Sequence, residues 1–421
     1  MWHLVGAEMS PSKLVELDDA RKAILSRTRP PAGESVALGI GAIGRVLAED
    51  VTAMHPVPAF DNSAMDGFAV RAPDLEGAGP SSPVTLRLVG ESRAGHPASR
   101  ALERGQAIAI STGAMLPEGA DAVLRVEETQ APDQATVQAL GAPALGSSVR
   151  RAGEDVLPGQ TVLRAGTTIG PAELGVLASL GRSLIRCASR PKVSVLVTGD
   201  ELLALQEAPR AGAVRDTSSY SLAALAYCGG AEVTWTGRAP DDEAATREAV
   251  ERALDSVDVA VVCGGVSVGA HDHVRPTLAS LGVEQRFWGL ALKPGSPAWF
   301  GLRGETLVFG LPGNPVSAMV TFMLLVGPAL RAMLGRPPEG DHGEAIIDSD
   351  YDKPAGRAHA VRCRLQQRTD GLHAMPTGPQ GSHVLSSMLG ADALAMIASD
   401  STGVKAGERV PIEHLREWTR A

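Results

Sequence analysis

Between Pro191 and Leu330, apolar runs of strand length stop three times at a glycine or acidic turn. Val193-Ser194-Val195-Leu196-Val197 ends in Thr198-Gly199-Asp200-Glu201. Val257 to Cys263 ends in Gly264-Gly265-Val266-Ser267-Val268-Gly269 and then Asp272. Leu307-Val308-Phe309 ends in Gly310-Leu311-Pro312-Gly313-Asn314-Pro315 and leads into an apolar helix. Buried strands that end this way predict an open, mostly parallel α/β sheet with a ligand crevice at the carboxyl ends of its strands. Ser219 to Cys228 and Asp242 to Asp255 read as crossover helices, and the Asp-Asp-Glu opening of the second suits a helix N-terminus. Upstream, Ser12 to Ser26 has helical periodicity, stopped by Thr28-Arg29-Pro30-Pro31. From Met54 to about Arg151 short strands alternate with Gly/Pro/Ser turns, predicting a β-rich domain inserted into the chain. The chain returns through Thr161-Val162-Leu163 and an Ala/Leu-rich helix starting near Pro171. Gly335 to Gly340 reads as a linker, and the remainder as a small β-barrel or sandwich.

At 421 residues the chain is too long for one ordinary core. Its 44% hydrophobic and 21% charged residues describe a soluble globular protein. A net charge of −9 without a dense Lys/Arg block argues against nucleic acid, while leaving room for a local basic pocket. Cys187, Cys228, Cys263 and Cys363 lie far apart, which argues against structural zinc and a disulfide framework. Met1 to Ser10 lacks a signal-peptide pattern. The apolar segment Val316 to Leu334 is broken by Ser317, Thr321, Gly327, Pro328 and Arg331, and reads as a buried helix rather than a membrane span. The expectation is a cytoplasmic protein with no membrane or nucleic-acid partner.

Several polar constellations carry candidate chemistry. Asp61-Asn62-Ser63-Ala64-Met65-Asp66 crowds acids, an amide and a hydroxyl into six positions, either as a self-satisfied turn network or as a ligand site built on Asp66. Thr112-Gly113 is a second turn able to contact an anion. Arg150-Arg151-Ala152-Gly153-Glu154-Asp155 is a surface salt network or a phosphate clamp. Asp200-Glu201, Asp241-Asp242 and Asp272 are expected near strand ends of one sheet. Helix capping explains Asp200 and Asp241, whereas acids beside glycine-lined anion cradles suit Mg²⁺ held between carboxylates and phosphate oxygens. His271 and His273 flank Asp272 and read as ordinary loop residues. Lys293-Pro294-Gly295-Ser296-Pro297 fixes a cation at a strand end, and Gly310 to Ser317 offers free N–H groups at a helix N-terminus. Neither the Walker pattern G-x-x-x-x-G-K-[ST] nor the hydrolase elbow G-x-S-x-G occurs.

These segments, in this order, resemble the MoeA family of molybdopterin molybdenumtransferases, whose relatives include the C-terminal domain of gephyrin. Asp61-Asn62-Ser63-Ala64-Met65-Asp66-Gly67 and Gly310-Leu311-Pro312-Gly313-Asn314-Pro315-Val316-Ser317 are its most specific blocks. The resemblance implies a multidomain α/β protein with an open, MogA-like molybdopterin-binding α/β core, an inserted β-rich domain, an elongated linking domain and a C-terminal β-barrel. Residues 10–52 would form the N-terminal helix and first part of the linking domain, 53–155 the insert and 156–190 the second part. Residues 191–336 would form the α/β domain and 340–421 the barrel.

The implied reaction joins molybdate to adenylylated molybdopterin with Mg²⁺ and releases AMP. Asp66, Glu201, Asp272 and Lys293 would be catalytic, with Glu201, Asp242 and Asp272 as metal ligands. Substrate would be held by Asp61, Asn62, Ser63, Thr112, Gly113, Arg151 and Asp155 from the insert. From the α/β domain it would be held by Thr198, Gly199, Gly264, Gly265, Ser267, Gly269, Ser296, Pro312, Gly313, Asn314 and Pro315. The family also implies a homodimer with Asp66 and Asp272 meeting across the subunit interface, and a molybdopterin-adenylating protein as a candidate partner. Ser296 stands where the family commonly has a second lysine, with Arg286 or Arg215 as candidate compensating cations. Two alternatives stay open: a non-catalytic scaffold, and a paralogue with altered oxyanion handling.

Overall fold

The structure, a computed structural model, describes residues 14–30, 32–130, 133–265 and 273–419. Its α/β domain is built on a six-stranded sheet in the order Glu232–Ala239, Lys192–Thr198, Val259–Cys263, Thr306–Leu311, Trp299–Arg303, Glu284–Trp288. The first four strands pair in parallel, and Trp299–Arg303 runs antiparallel to both of its neighbours. Alternate side chains explain the unbroken apolar runs, because both faces are covered. Val193, Val195, Val197, Val261 and Phe309 pack beneath helices Ser218–Cys228 and Pro315–Thr321. Leu196, Ala260, Val262 and Val308 face helices Glu243–Ala253 and Val274–Ser280. Full burial stabilises each such Val, Leu or Phe by about 1.5–3 kcal/mol.

The apolar helix predicted over 316–334 runs from Pro315 to Met333, with mean hydropathy 1.7 and 89% of its most apolar window buried. It is not uniform: Phe322–Val326 forms a π-turn. Pro328 has no N–H to give the Leu324 carbonyl. That carbonyl instead accepts from Arg21 Nε at 2.9 Å, on the N-terminal helix Leu17–Leu25. The same arginine pairs with Glu413 of the C-terminal region at 2.7 Å. One side chain thereby ties the N-terminal helix and the C-terminal region to the apolar helix.

The insert is a second six-stranded sheet, ordered Ala122–Arg125, Gly67–Val70, Gln106–Ile110, Val84–Ser92, Thr136–Ala139, Thr129–Gln130. Antiparallel pairs Gly33–Ala37 with Leu184–Ala188, and Val51–Thr52 with Thr161–Leu163, bracket its entry and exit. After the linker, five strands close on themselves because Ala393–Ile397 pairs with both Arg409–His414 and Ala358–Arg368. The barrel alternative is therefore the one the C-terminal segment adopts. A sixth strand joins it from outside: Leu292–Lys293 runs parallel to Ala358–Arg368. Lys293, expected at an end of the α/β sheet, thus sits on a strand paired with the barrel. Its own sheet partner is set by a residue 66 positions later, which periodicity could not reveal.

Candidate active site

Three predicted turns converge at the carboxyl ends of the parallel strands. Gly264 N donates to Leu311 O at 3.0 Å. A Cβ on Gly264, where φ is +91°, would come within 2.5 Å of Thr198 O, and one on Gly265 within 3.1 Å of Thr198 Oγ1. Only glycine tolerates this approach and this backbone conformation together. Thr198 is 6% exposed and its hydroxyl has no hydrogen-bond partner among the described residues, an arrangement that costs about 1–3 kcal/mol unless another group fills it. Glu201 is exposed, and its carboxylate is without a partner among the described residues. Asn314 precedes helix Pro315–Thr321 without capping it, and its amide has no hydrogen-bond partner among the described residues.

The neighbouring acids are occupied. Asp241 N donates to Asp200 Oδ1 at 3.0 Å and Asp200 N to Asp241 Oδ2 at 3.4 Å, binding two turns together. Asp242 Oδ1 accepts from Ala245 N at 2.9 Å as the cap of helix Glu243–Ala253, leaving Oδ2. The helix capping expected of Asp200 and Asp241 is not what they do: they bind each other's turn, and Asp242 caps the helix. Beneath the floor, Asp216 is buried and holds Ser219 through its N–H at 3.0 Å and its hydroxyl at 2.5 Å. Cys263 donates to Pro312 O at 3.3 Å, and burial pushes its thiol up to about 12. It is an inert packing residue.

In the insert the three candidate segments are stitched to one another. Asp61 accepts from Arg151 Nη1 at 2.6 Å and Ala152 N at 2.8 Å. The Ala152 N–H and the Arg151 guanidinium hold its carboxyl below the usual range. Asp66 Oδ1 accepts from Thr112 N at 2.7 Å and Thr112 Oγ1 at 2.9 Å, which also lowers its pKa. Asp66 is consequently a carboxylate at neutral pH, fit to accept a proton or orient a cation rather than to donate a proton. Asn62–Ser63 pairs with Val149–Arg150, and the Ser63 hydroxyl donates to Met65 O at 2.5 Å. Gly113, at φ +78°, donates its N–H to Ser63 O at 2.8 Å. Asp155 is exposed with a free side chain. The turn-network reading of this region is correct as far as the hydrogen bonds go. The hydrogen bonds and ion pairs of residues 53–155 described here stay within residues 53–160.

The Lys293 loop forms a third region. Ser296 Oγ donates to Leu290 O at 3.0 Å, so its hydroxyl is spent inside its own loop. Arg286 pairs with Glu284 at 2.8 Å, and Arg215 donates to Ala204 O. Neither expected compensating cation is free. Val316 N donates to Ser382 O at 3.2 Å, bringing the turn before the apolar helix against the barrel. The loop bearing Ser382 is held by Arg362, which is fully buried and donates to Ser387 Oγ at 3.2 Å and Gly381 O at 3.3 Å. Sequence reading missed this contribution of the C-terminal segment. Its signal was an arginine inside the apolar run Ala358 to Cys363.

Ser267, Gly269, His271 and Asp272 lie outside the described residues. Among the described residues no group of three His, Cys, Asp or Glu side chains forms a ready metal site. Glu201 and Asp242 lie on turns joined by the Asp200–Asp241 hydrogen bonds.

Three family descriptions match consecutive stretches: the MoeA N-terminal region (domain I and II) over residues 15–181, the "Probable molybdopterin binding domain" over 194–332, and the MoeA C-terminal region (domain IV) over 344–415. The molybdopterin molybdenumtransferase of Haemophilus influenzae is 36% identical over 406 residues, covering 95% of this chain and 98% of that protein. The chain belongs to the MoeA family. Another MoeA-family relative, the molybdopterin molybdenumtransferase of Bacillus subtilis, is 32% identical, with 96% and 94% covered. A solved molybdopterin biosynthesis moeA protein from Pyrococcus horikoshii OT3 superposes with a TM-score of 0.81 at 32% identity, with 95% and 99% covered. Insert, α/β domain and barrel are therefore all parts of the shared MoeA architecture, a multidomain α/β fold.

Proposed function

We propose that this chain is a molybdopterin molybdenumtransferase that inserts molybdate into adenylylated molybdopterin and releases AMP. The observation that carries this reading is the set of uncommitted polar groups over the glycine floor. Among the described residues, Thr198 Oγ1, the Glu201 carboxylate and the Asn314 amide have no hydrogen-bond partner where the strands of a MoeA-family sheet end. Backbone N–H groups of the glycine turns and the Lys293 ammonium would bind the oxygens of phosphate and molybdate. Glu201 and Asp242, with Asp272, would hold Mg²⁺, whose chemistry when bound is to draw charge from the phosphoanhydride oxygens. Thr198 would orient the substrate by hydrogen bonding, and Asp66, kept ionised by Thr112, would accept a proton or steady a cation from the insert side.

The insert's bonds stay within its own part of the chain, which favours a homodimer in which the Asp66 cluster of one subunit faces the glycine floor of the other. A molybdopterin-adenylating protein is the proposed source of substrate, and the cytoplasm the proposed location. Purified protein mixed with adenylylated molybdopterin, Mg²⁺ and molybdate should release AMP. Molybdate-independent release, or none, would refute the transferase reading. Mixing Asp66→Ala with Glu201→Gln subunits should restore part of the activity through hybrid dimers. Without restoration, the shared-site arrangement is wrong. Fractionating cells and locating the protein outside the cytosolic fraction would refute the location.

A further inference from the structure

Glu201 sits on a turn whose backbone is fastened while its side chain is not. All six carbonyls from Gly199 to Ala204 accept hydrogen bonds. Leu202 N donates to Gly199 O at 3.3 Å, Val214 N to Glu201 O at 2.8 Å, Asp216 N to Leu203 O at 3.0 Å and Glu207 N to Ala204 O at 3.2 Å. The two carbonyls on either side of Glu201 are taken by arginines. Arg210 Nη2 donates to Asp200 O, and Arg238 Nη1 to Leu202 O at 3.2 Å. Arg210 lies on the loop between Leu202–Leu203 and Val214–Arg215. Arg238 comes from the edge strand Glu232–Ala239 and pairs with Glu207 of that loop at 3.3 Å. The Glu201 carboxylate itself has no partner among the described residues. It folds back over Gly199, where a Cβ would come within 2.8 Å of both carboxylate oxygens.

We propose that Arg210 and Arg238 are positioning residues for the reaction: by holding the carbonyls before and after Glu201, they fix the direction in which its carboxylate points. This deepens the transferase reading and rests on it for the role of Glu201. The two arginines are not needed to satisfy the carbonyls. Asp200, Glu201, Arg210 and Arg238 are all exposed, and water would take the place of either guanidinium at little cost. Water does not hold a turn in one geometry, whereas a guanidinium anchored in a neighbouring strand or loop does. A carboxylate already aimed at its target loses less freedom on binding and acts without rearrangement. Exposed charged groups add little to stability, so what the pair contributes is position. Glycine at 199 completes the arrangement, because any side chain there would occupy the space of the Glu201 carboxylate.

The test uses full-length protein carrying Arg210→Ala, Arg238→Ala or Arg210→Lys, each alone and combined with Glu201→Gln. AMP release is followed against Mg²⁺ and against adenylylated molybdopterin, and amide hydrogen exchange is read at Leu202 and Val214. Each alanine should lower kcat about tenfold and raise the Mg²⁺ concentration for half-maximal release, with KM for adenylylated molybdopterin and the melting temperature nearly unchanged. Arg210→Lys should recover most of the loss, since only one donor is required there. In the Glu201→Gln background either alanine should cost less than about twofold, because the group being positioned is gone. The Leu202 and Val214 amides should exchange about tenfold faster in both alanine variants. Equal losses with and without Glu201, an unchanged kcat, or unchanged exchange would each overturn the inference. Failure of the unaltered protein to release AMP strikes the transferase reading, and exchange then decides the clamp by itself. Release that neither alanine alters strikes this inference alone.

Discussion

Ser63 in the insert and Thr198 in the α/β domain are both buried hydroxyls, and among the described residues only Ser63 has a partner. The contrast extends to the carboxylates around them. Asp61 and Asp66 are held by Arg151, Ala152 and Thr112, whereas Glu201 has no partner among the described residues. One region has closed its hydrogen-bond network on itself and gained a fixed shape. The other leaves a donor, an acceptor and glycine-lined backbone open at the cost of its own stability. A rigid charged surface facing an unsatisfied floor is what a site needs if a ligand is to supply the missing partners.

The sharpest way to break this comparison is Glu201→Gln. AMP release should fall on the order of 10²–10³-fold, while the melting temperature stays unchanged because the carboxylate has no partner among the described residues. A lower melting temperature would show that Glu201 is structural. Gly264→Ala comes next. The left-handed backbone and the approach to Thr198 O should cost about 1–3 kcal/mol in urea unfolding, and an unmoved midpoint would mean the floor is looser than described. The two hydroxyls then give a paired test. Ser63→Ala should destabilise by about 1 kcal/mol, and Thr198→Val should stabilise by up to about 1 kcal/mol while slowing turnover. The same sign for both would erase the distinction between the regions.

The smallest effect expected lies away from both regions, in the barrel. His373 Nδ1 is 2.6 Å from Asp348 and Nε2 3.0 Å from Asp370. The Asp348 carboxylate raises its pKa, with Asp370 adding to the effect. A raised pKa contributes stability that is fully present below the unfolded value of about 6.5 and is lost as pH rises through the folded value. The melting temperature should therefore decline across that window in the unaltered protein and decline less in His373→Gln. Parallel profiles would show that the pair contributes nothing.

The turn chemistry at the strand ends was legible in the sequence because strands buried on both faces must be apolar throughout, so their ends stand out. Asp242 as a helix opening, Pro315 as a helix start and Cys263 as a packing residue follow from equally local rules. Ser296 and Lys293 were less readable. That Ser296 turns its hydroxyl to Leu290 O, and that the strand of Lys293 joins the barrel, depends on pairings formed only after distant segments meet.

By itself the sequence determined where chain direction changes, which residues line each turn, and which family's order of motifs they follow. These are properties of periods of two or 3.6 residues and of glycine and proline stereochemistry, all contained within a few positions. Tertiary structure alone decided which polar groups are spent and which are free. A hydroxyl or carboxylate is satisfied only by atoms that arrive from elsewhere, as Arg151 does for Asp61 and as none of the described residues does for Thr198.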